Sequence, residues 1–328
     1  MHIPVLLEEA VVLWGGLEGG EERPQEGIYI DATFGEGGHS MELLKRAKEQ
    51  KIKIIGFDLD KVRIKKGEEK YKEEIKNKKL YLISQSFQNI QNAIESLRKK
   101  EDFRGLPVLG VLFDLGFCST QLEEGRGFSF SDKEASLDMR FNSSDKEILN
   151  ASEILNSYSK EDLEKIIREY GEEKFARLIA GAVIKARQEG EEFKKVGDLY
   201  QILEKTVGRF YRKYHIHFAT RTFQGIRIAV NGEREAIEKG LEGAKNIVSG
   251  GGNLVAISFH SGEDRMVKQF FKLHSKECIC PENFPICRCD HERTLRIITK
   301  KPIVASKEEL LINPRARSAK LRAAQKII

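Results

Sequence analysis

The run Val108-Leu109-Gly110-Val111-Leu112-Phe113 carries no polar side chain and stops at Asp114-Leu115-Gly116. A run that short and apolar throughout suits a strand buried on both faces, which requires helices on either side of a parallel sheet. The rest of the first third keeps that rhythm. Ile28 to Ile30 ends on Asp31 and a glycine-rich turn, and a helical pattern follows from about His39 to Lys48. Lys53 to Asp58 is the next strand, with a charged helix from about Lys61 to Ile75. Leu80 to Ile83 is the third, with a helix near Ile90 to Lys99. The rhythm returns late in the chain. A helix leads through Ala244 to Val248, Gly250 to Gly252 makes a turn, and Leu254 to Phe259 is a strand. Met266 to Leu273 reads as a helix, and Leu295 to Thr299 and Leu321 to Ala324 as strands. The expected class is α/β, a doubly wound, Rossmann-like sheet. From about Ser131 to His217 there is no convincing strand. Leu163, Ile166, Ile167 and Tyr170 recur at helical spacing, as do Leu178, Ile179, Ala182 and Val183. The expected organisation is one α/β domain, residues 1–130 and 218–328, interrupted by an all-helical insertion, 131–217, that shapes a substrate cleft.

Charge narrows the partners only slightly. Lys plus Arg total 56 against 51 Asp plus Glu, a net charge of +5. That permits a nucleic acid provided the basic residues share a face. No apolar run approaches the roughly 18 residues that span a bilayer. The first residues lack a basic stretch, and Glu8 and Glu9 interrupt their apolar pattern, unlike a secretory signal. Five cysteines make a poor secreted framework. The expectation is a cytoplasmic protein with no membrane partner.

Open α/β sheets bind ligands at the carboxyl ends of their strands, and four features fall there. The loop Asp31-Ala32-Thr33-Phe34-Gly35-Glu36-Gly37-Gly38-His39-Ser40 can bring backbone amides close to a ligand, or can be a tight turn with nothing bound. Asp58 ends the next strand, twenty residues beyond Gly38, where an acid accepts hydrogen bonds from ribose hydroxyls. That acid serves dinucleotides and S-adenosylmethionine equally, but Gly35-x-Gly37-Gly38 is not the pattern expected for a pyrophosphate. Phe87, after the third strand, suits an adenine ring or an ordinary core. Asp114 abuts the reacting end of a cofactor, or caps a turn. A nucleotide-binding enzyme follows from these positions; methyl transfer does not.

The motifs together are more specific. They include His2-Ile3-Pro4-Val5-Leu6-Leu7, Gly35 to Ser40, Asp114-Leu115-Gly116, Arg126 to Phe130 and Leu137-Asp138-Met139-Arg140. They continue with Ala219 to Gln224, Ser258-Phe259-His260-Ser261, Glu263-Asp264-Arg265 and Asn313 to Ser318. In this order, over nearly the whole chain, the sequence resembles the bacterial 16S ribosomal RNA cytosine-N4-methyltransferase family. The resemblance implies methyl transfer from S-adenosylmethionine to one cytidine in the decoding region of 16S rRNA, with the small ribosomal subunit as partner. It implies that Gly37, Gly38, His39, Asp58, Phe87, Asp114 and Gln121 contact the cofactor, His39 and Gln121 on this ground alone. The family's usual Val-Ser-Ser-Pro is here Phe117-Cys118-Ser119-Thr120, and Gly262 replaces a Leu.

Methylating the N4 amino group needs an acceptor for an amino proton, and Asp114 or its loop carbonyls are the candidates. Cytosine-C5 methylation is the rival chemistry and would need Cys118 as nucleophile; a small buried thiol is its plain reading. A non-catalytic ribosome-assembly factor is the rival class. Arg140, Arg221, His260, Arg315 and Arg317 are candidate RNA contacts, the last two in a basic segment with Lys320 and Arg322; a structural histidine and solvated arginines are the alternatives. Cys278-x-Cys280 and Cys287-x-Cys289, flanked by His274 and His291, could form a zinc site or remain reduced thiols. The C-x-C spacing is cramped, and we count no metal among the expected ligands.

Overall fold

The computed structural model describes residues 3–17, 24–48, 50–116, 125–143, 145, 147–214, 216–281, 284 and 287–327. Among these, seven strands form one sheet: β1 (Gly27–Asp31), β2 (Ile52–Asp58), β3 (Leu80–Ser84), β4 (Val108–Asp114), β5 (Asn253–Ser258), β6 (Leu295–Ile297) and β7 (Lys320–Lys326). Their order is β3-β2-β1-β4-β5-β7-β6. The pairs β1 with β2, β1 with β4, β2 with β3 and β4 with β5 are parallel. Only β7 is reversed, antiparallel to both β5 and β6. The chain therefore winds outward from β1 to β3, then restarts at β4 and winds the other way. This reversal opens the ligand crevice of a doubly wound sheet at the carboxyl ends of β1 and β4.

Alternation along each strand serves two cores. Ile28 and Ile30, Val111 and Phe113, and Leu254 and Ala256 face a layer built with Ile90, Ile94, Ile237, Leu241, Val267 and Phe271. Tyr29, Leu112, Val255 and Ile257 face the opposite layer, with Val11, Trp14, Leu43 and Ala47. Helices Leu7–Gly15 and Gly38–Ala47 supply the second layer; Ile90–Leu97, Glu233–Ile247 and Ser261–His274 supply the first. Both faces are covered, as the apolar β4 requires.

The chain parts into two compact units: Met1–Gly116 with Glu235–Ile328, and Phe117–Arg234. The second is wider at both ends than residues 131–217. It takes in helix Thr220–Asn231, whose Phe223, Ile226 and Val230 join Leu163, Ile167, Ile179, Val183 and Leu199 in a separate core. Its described residues contain helices and one isolated bridge, Ser136 to Lys195. Asn150 and Glu153 form a reciprocal cap on helix Ala151–Ser157, and Ser159 caps Lys160–Glu169. Both satisfy amides that would otherwise lack partners. Among the described residues, no helix is long and apolar enough to cross a membrane.

Candidate active site

The site grows from the ends of β1, β2 and β4. Asp31 is buried; its carboxylate accepts from Ser40 Oγ at 2.6 Å and from the Thr33 amide at 3.2 Å. Burial, the largest effect, overrides these bonds and lifts Asp31 to about 6. The Thr33 hydroxyl in turn accepts from the Asp114 amide at 2.7 Å, which pins β4 to the loop after β1. Asp58 holds the loop from the other side. One of its oxygens accepts the Gly35 amide at 3.0 Å and the other the Asp60 amide at 2.8 Å. Burial raises Asp58 above the usual carboxylate range, against the charge of Arg63 and these two amides.

The glycines answer to different demands. Gly35 and Gly37 adopt φ of 54° and 78°, which side chains disfavour. A Cβ at Gly35 would meet only the Thr33 carbonyl at 3.8 Å, so this part of the loop is open. A Cβ at Gly37 would press on Phe34 and Tyr71, and one at Gly38 would sit 2.2 Å from Pro4 Cγ. The N-terminal segment thus lies against the start of helix Gly38–Ala47. His39 completes the join: Nε2 donates to the Val5 carbonyl at 3.0 Å. Its Nδ1 is 3.9 Å from an Asp114 oxygen, too far for a hydrogen bond.

Asp114 is the unusual group. Its side chain is 23% exposed, yet Oδ1 is out of contact with solvent and has no hydrogen-bond partner among the described residues. Desolvation foremost, then the charges of Asp31 and Glu263, push it up to about 8. A carboxylate surrounded by acids keeps its proton at neutral pH unless a cation joins it. Phe87 stands in the turn after β3, half-buried, edge-on to Phe113 at 5.6 Å and pressed on Gly240.

Gly37, Gly38, His39, Asp58, Phe87 and Asp114 all follow the carboxyl ends of the adjacent strands β3, β2, β1 and β4. The fold brings them to one sheet edge. Gln121 and Cys118 lie outside the described residues. His260 follows β5 at the same edge and caps helix Ser261–His274, with Nδ1 accepting the Glu263 amide at 3.3 Å. Buried Glu263 accepts the Phe259 amide at 2.8 Å and approaches His260 Nε2 at 3.0 Å.

The arginines divide. Arg315 and Arg317 are exposed in the turn Pro314–Ser318, and neither makes an ion pair among the described residues. Arg322 does not belong with them. It is buried, with Nε 2.6 Å and Nη2 3.2 Å from the two oxygens of Asp264, and Lys320 is 3.4 Å from the same carboxylate. Arg140 is likewise engaged in its own loop. Nε and Nη2 donate to Asp138, both at 2.8 Å, and Nη1 to the Asp145 carbonyl at 2.7 Å. These bonds give Arg140 a structural task in its own loop. Arg221 stands by the Tyr211 hydroxyl, which also donates to buried Glu173.

In the sequence Pro4, Val5 and Glu263 stand only as parts of motifs, and Asp31 and Thr33 only as parts of the glycine-rich loop. Their signal was present in the motif around Pro4 and in Asp31 at a strand end, but the partners lie far along the chain. The four clustered cysteines, counted without a metal, have sulfurs within 4.8 Å of one another.

The model of the MraW methylase family matches residues 1–327. The chain belongs to this family. It is 45% identical over 327 residues to the ribosomal RNA small subunit methyltransferase H of Caldicellulosiruptor bescii, with 99% of each chain covered. The proteins of that name from Clostridium botulinum and Clostridioides difficile are 43% and 39% identical, again over 99% of each chain. This family member is an S-adenosylmethionine-dependent methyltransferase. The edge just described fits that cofactor on three local grounds. The loop is open above Gly35, each Asp58 oxygen accepts one backbone amide and keeps lone-pair capacity for a hydroxyl, and Asp114 Oδ1 lacks a partner among the described residues.

Proposed function

We propose that this protein methylates the N4 amino group of a cytidine in the decoding region of 16S rRNA, acting in the cytoplasm on the small ribosomal subunit. The observation that carries the site is Asp114: a carboxyl at the end of β4, raised to about 8, with a buried oxygen that has no hydrogen-bond partner among the described residues. When bound, S-adenosylmethionine supplies a methyl group on a cationic sulfur. Gly37, Gly38 and His39 would form its cradle, Asp58 would accept its ribose hydroxyls, Phe87 would offer an aromatic contact for its base, and Asp114 would offset its charge. Gln121 joins this set on the strength of the family resemblance.

The cytosine amino group is a poor nucleophile because its lone pair is delocalised into the ring. It needs in-line approach and an acceptor for one amino proton, which must leave as the nitrogen–methyl bond forms. An ionised Asp114 can take that proton, with the carbonyls of its loop accepting an amino hydrogen bond, and no covalent intermediate is needed. The target base reaches this edge only if it leaves its stack. Arg315 and Arg317 offer phosphate contacts, Arg221 and His260 are secondary candidates, and the helical unit is the candidate for substrate recognition. These readings rest on exposure and charge.

The test is incubation with S-adenosylmethionine and unmodified small subunits, followed by nucleoside analysis by mass spectrometry. N4-methylcytidine, still formed by Cys118→Ser, is expected. 5-Methylcytidine lost in Cys118→Ser would overturn the mechanism. No product on subunits or naked RNA would favour an assembly factor.

A further inference from the structure

The long connection between helix Ser261–His274 and β6 has an organisation that methyl transfer does not use. Residues 275–294 form no helix or strand among those described. Connections of that length without secondary structure are uncommon in compact domains and call for something that orders them. Apolar burial does not: Ile279 is 46% and Phe284 47% exposed. The base of the connection is anchored, by the Thr294 amide to the His274 carbonyl at 3.0 Å and by His291 to the Leu273 carbonyl at 3.0 Å. Beyond that base, sulfur is what gathers the chain.

Cys278, Cys280, Cys287 and Cys289 are free thiols whose four sulfurs lie within 4.8 Å of one another. Cys278 Sγ is 3.4 Å from Cys287 Sγ and 3.7 Å from Cys289 Sγ, and the latter two are 3.5 Å apart. A disulfide would require about 2.05 Å. A tetrahedral zinc ion with metal–sulfur bonds of about 2.3 Å sets its sulfurs about 3.8 Å apart, close to these separations. Backbone amides are aimed at the sulfurs as well: Cys280 N at Cys278 Sγ (3.3 Å), Arg288 N at Cys280 Sγ (3.3 Å) and Ile279 N at Cys289 Sγ (3.5 Å). Such bonds stabilise ligating thiolates, whose charge a divalent cation then offsets.

We propose that Cys278, Cys280, Cys287 and Cys289 hold one zinc ion as four thiolates. Each thiol gives up its proton to solvent as its sulfur–metal bond forms. The flanking histidines are otherwise engaged: His291 at the Leu273 carbonyl, and His274 3.5 Å from Glu242. Four protein ligands leave no open position, so the ion is structural. It sits beyond the C-terminal end of a 14-residue helix whose first turn lies at the active edge, about 21 Å away along the axis. Its task is to fold the 275–294 connection.

The test uses the full-length protein purified without chelator. Elemental analysis is expected to give about one zinc per chain. Protein stripped under reducing conditions and refilled with cobalt should show thiolate-to-cobalt charge transfer and the strong visible bands of a tetrahedral site. Cys287→Ser with Cys289→Ser should lose both, and its 275–294 segment should become sensitive to protease. A retained thermal shift with S-adenosylmethionine will show that the variant is folded. Metal-free protein that takes up neither ion, or an intact mass showing disulfides among these cysteines in freshly purified protein, overturns the proposal. Iron in place of zinc overturns the assignment of the ion.

Discussion

Asp114→Asn separates the charge of the cofactor from its shape. In the free protein Asp114 titrates at about 8, because its carboxyl is desolvated and stands near Asp31 and Glu263. At about pH 6, roughly one molecule in a hundred carries the ionised form. A ligand that requires the carboxylate therefore binds about 2.7 kcal/mol, or roughly a hundredfold, more weakly there than well above pH 8. S-Adenosylmethionine carries the sulfonium that requires it; S-adenosylhomocysteine has a neutral thioether and otherwise the same groups. Calorimetric titration of both ligands between about pH 6 and 9 isolates the effect. Their affinity ratio is expected to rise with pH in the wild type and stay flat in Asp114→Asn. Asp31, near 6, is ionised over most of this range and acts on wild type and variant alike, so the difference between their two ratios isolates Asp114. A flat wild-type ratio, or an equal rise in the variant, refutes the pairing of Asp114 with the cationic sulfur.

Stability supplies the converse sign. Asp114 is raised in the fold from 3.8 to about 8. Its neutral form thus contributes stability fully present below about pH 4 and lost as pH rises through 8. Without ligand, Asp114→Asn should match the wild type in acid and exceed it increasingly toward pH 8. The gain should approach about 1.4 kcal/mol per pH unit in that window, reduced by hydration of the accessible part of the side chain. Thermal denaturation across pH reads this directly.

Gly38→Ala should drive Pro4 from the loop, since the new Cβ falls 2.2 Å from Pro4 Cγ. A loss of about 1–3 kcal/mol in urea denaturation and weaker cofactor binding are expected, and wild-type values would reject the packing argument. Arg322→Met leaves Asp264 buried without its main partner, at about 3–5 kcal/mol. Burial works to raise Asp264, but Arg322 and Lys320 hold it below the usual range. The pair's contribution is therefore present above the ordinary carboxylate pKa and lost as pH falls, so the gap between variant and wild type should close in acid. Replacing Arg315 and Arg317 by Ala should leave the melting temperature unchanged and weaken RNA binding. The slope of log affinity against log salt should fall by about 0.7 for each phosphate contact removed; an unchanged slope would count against both residues.

The sheet was legible because its signal is local. β4 and β5 are apolar runs, and Asp31, Asp58 and Asp114 mark three strand ends within the sequence itself. What closes the site is not local. His39 and Val5 are 34 residues apart, and Thr33 and the Asp114 amide 81. Nothing at either position announces the other, because a carbonyl or hydroxyl becomes a partner only after β1 and β4 pair. The C-x-C spacing conceals a contact for a related reason. Taken singly each pair looks cramped, whereas in the fold sulfurs of the two pairs meet across the loop, Cys278 with Cys287 and Cys289.

The arginines show where a charge-based reading stops. Arg140, Arg315, Arg317 and Arg322 look equivalent in sequence, and what separates them is whether the fold brings a carboxylate within bidentate reach. For Arg322 that carboxylate is 58 residues away, on the helix after β5, which no spacing rule anticipates. For Arg140 it is two residues away, and the reach depends on Met139 adopting φ of 59°. That left-handed turn brings side chains at positions 138 and 140 together, where an extended chain would merely set them on one face. A motif that preserves both Asp138 and Arg140 therefore has a structural explanation before a nucleic-acid one. Arg315 and Arg317 lack a paired carboxylate of this kind among the described residues and stay hydrated. Among the four they are the pair whose loss should reach RNA binding without first disturbing the fold.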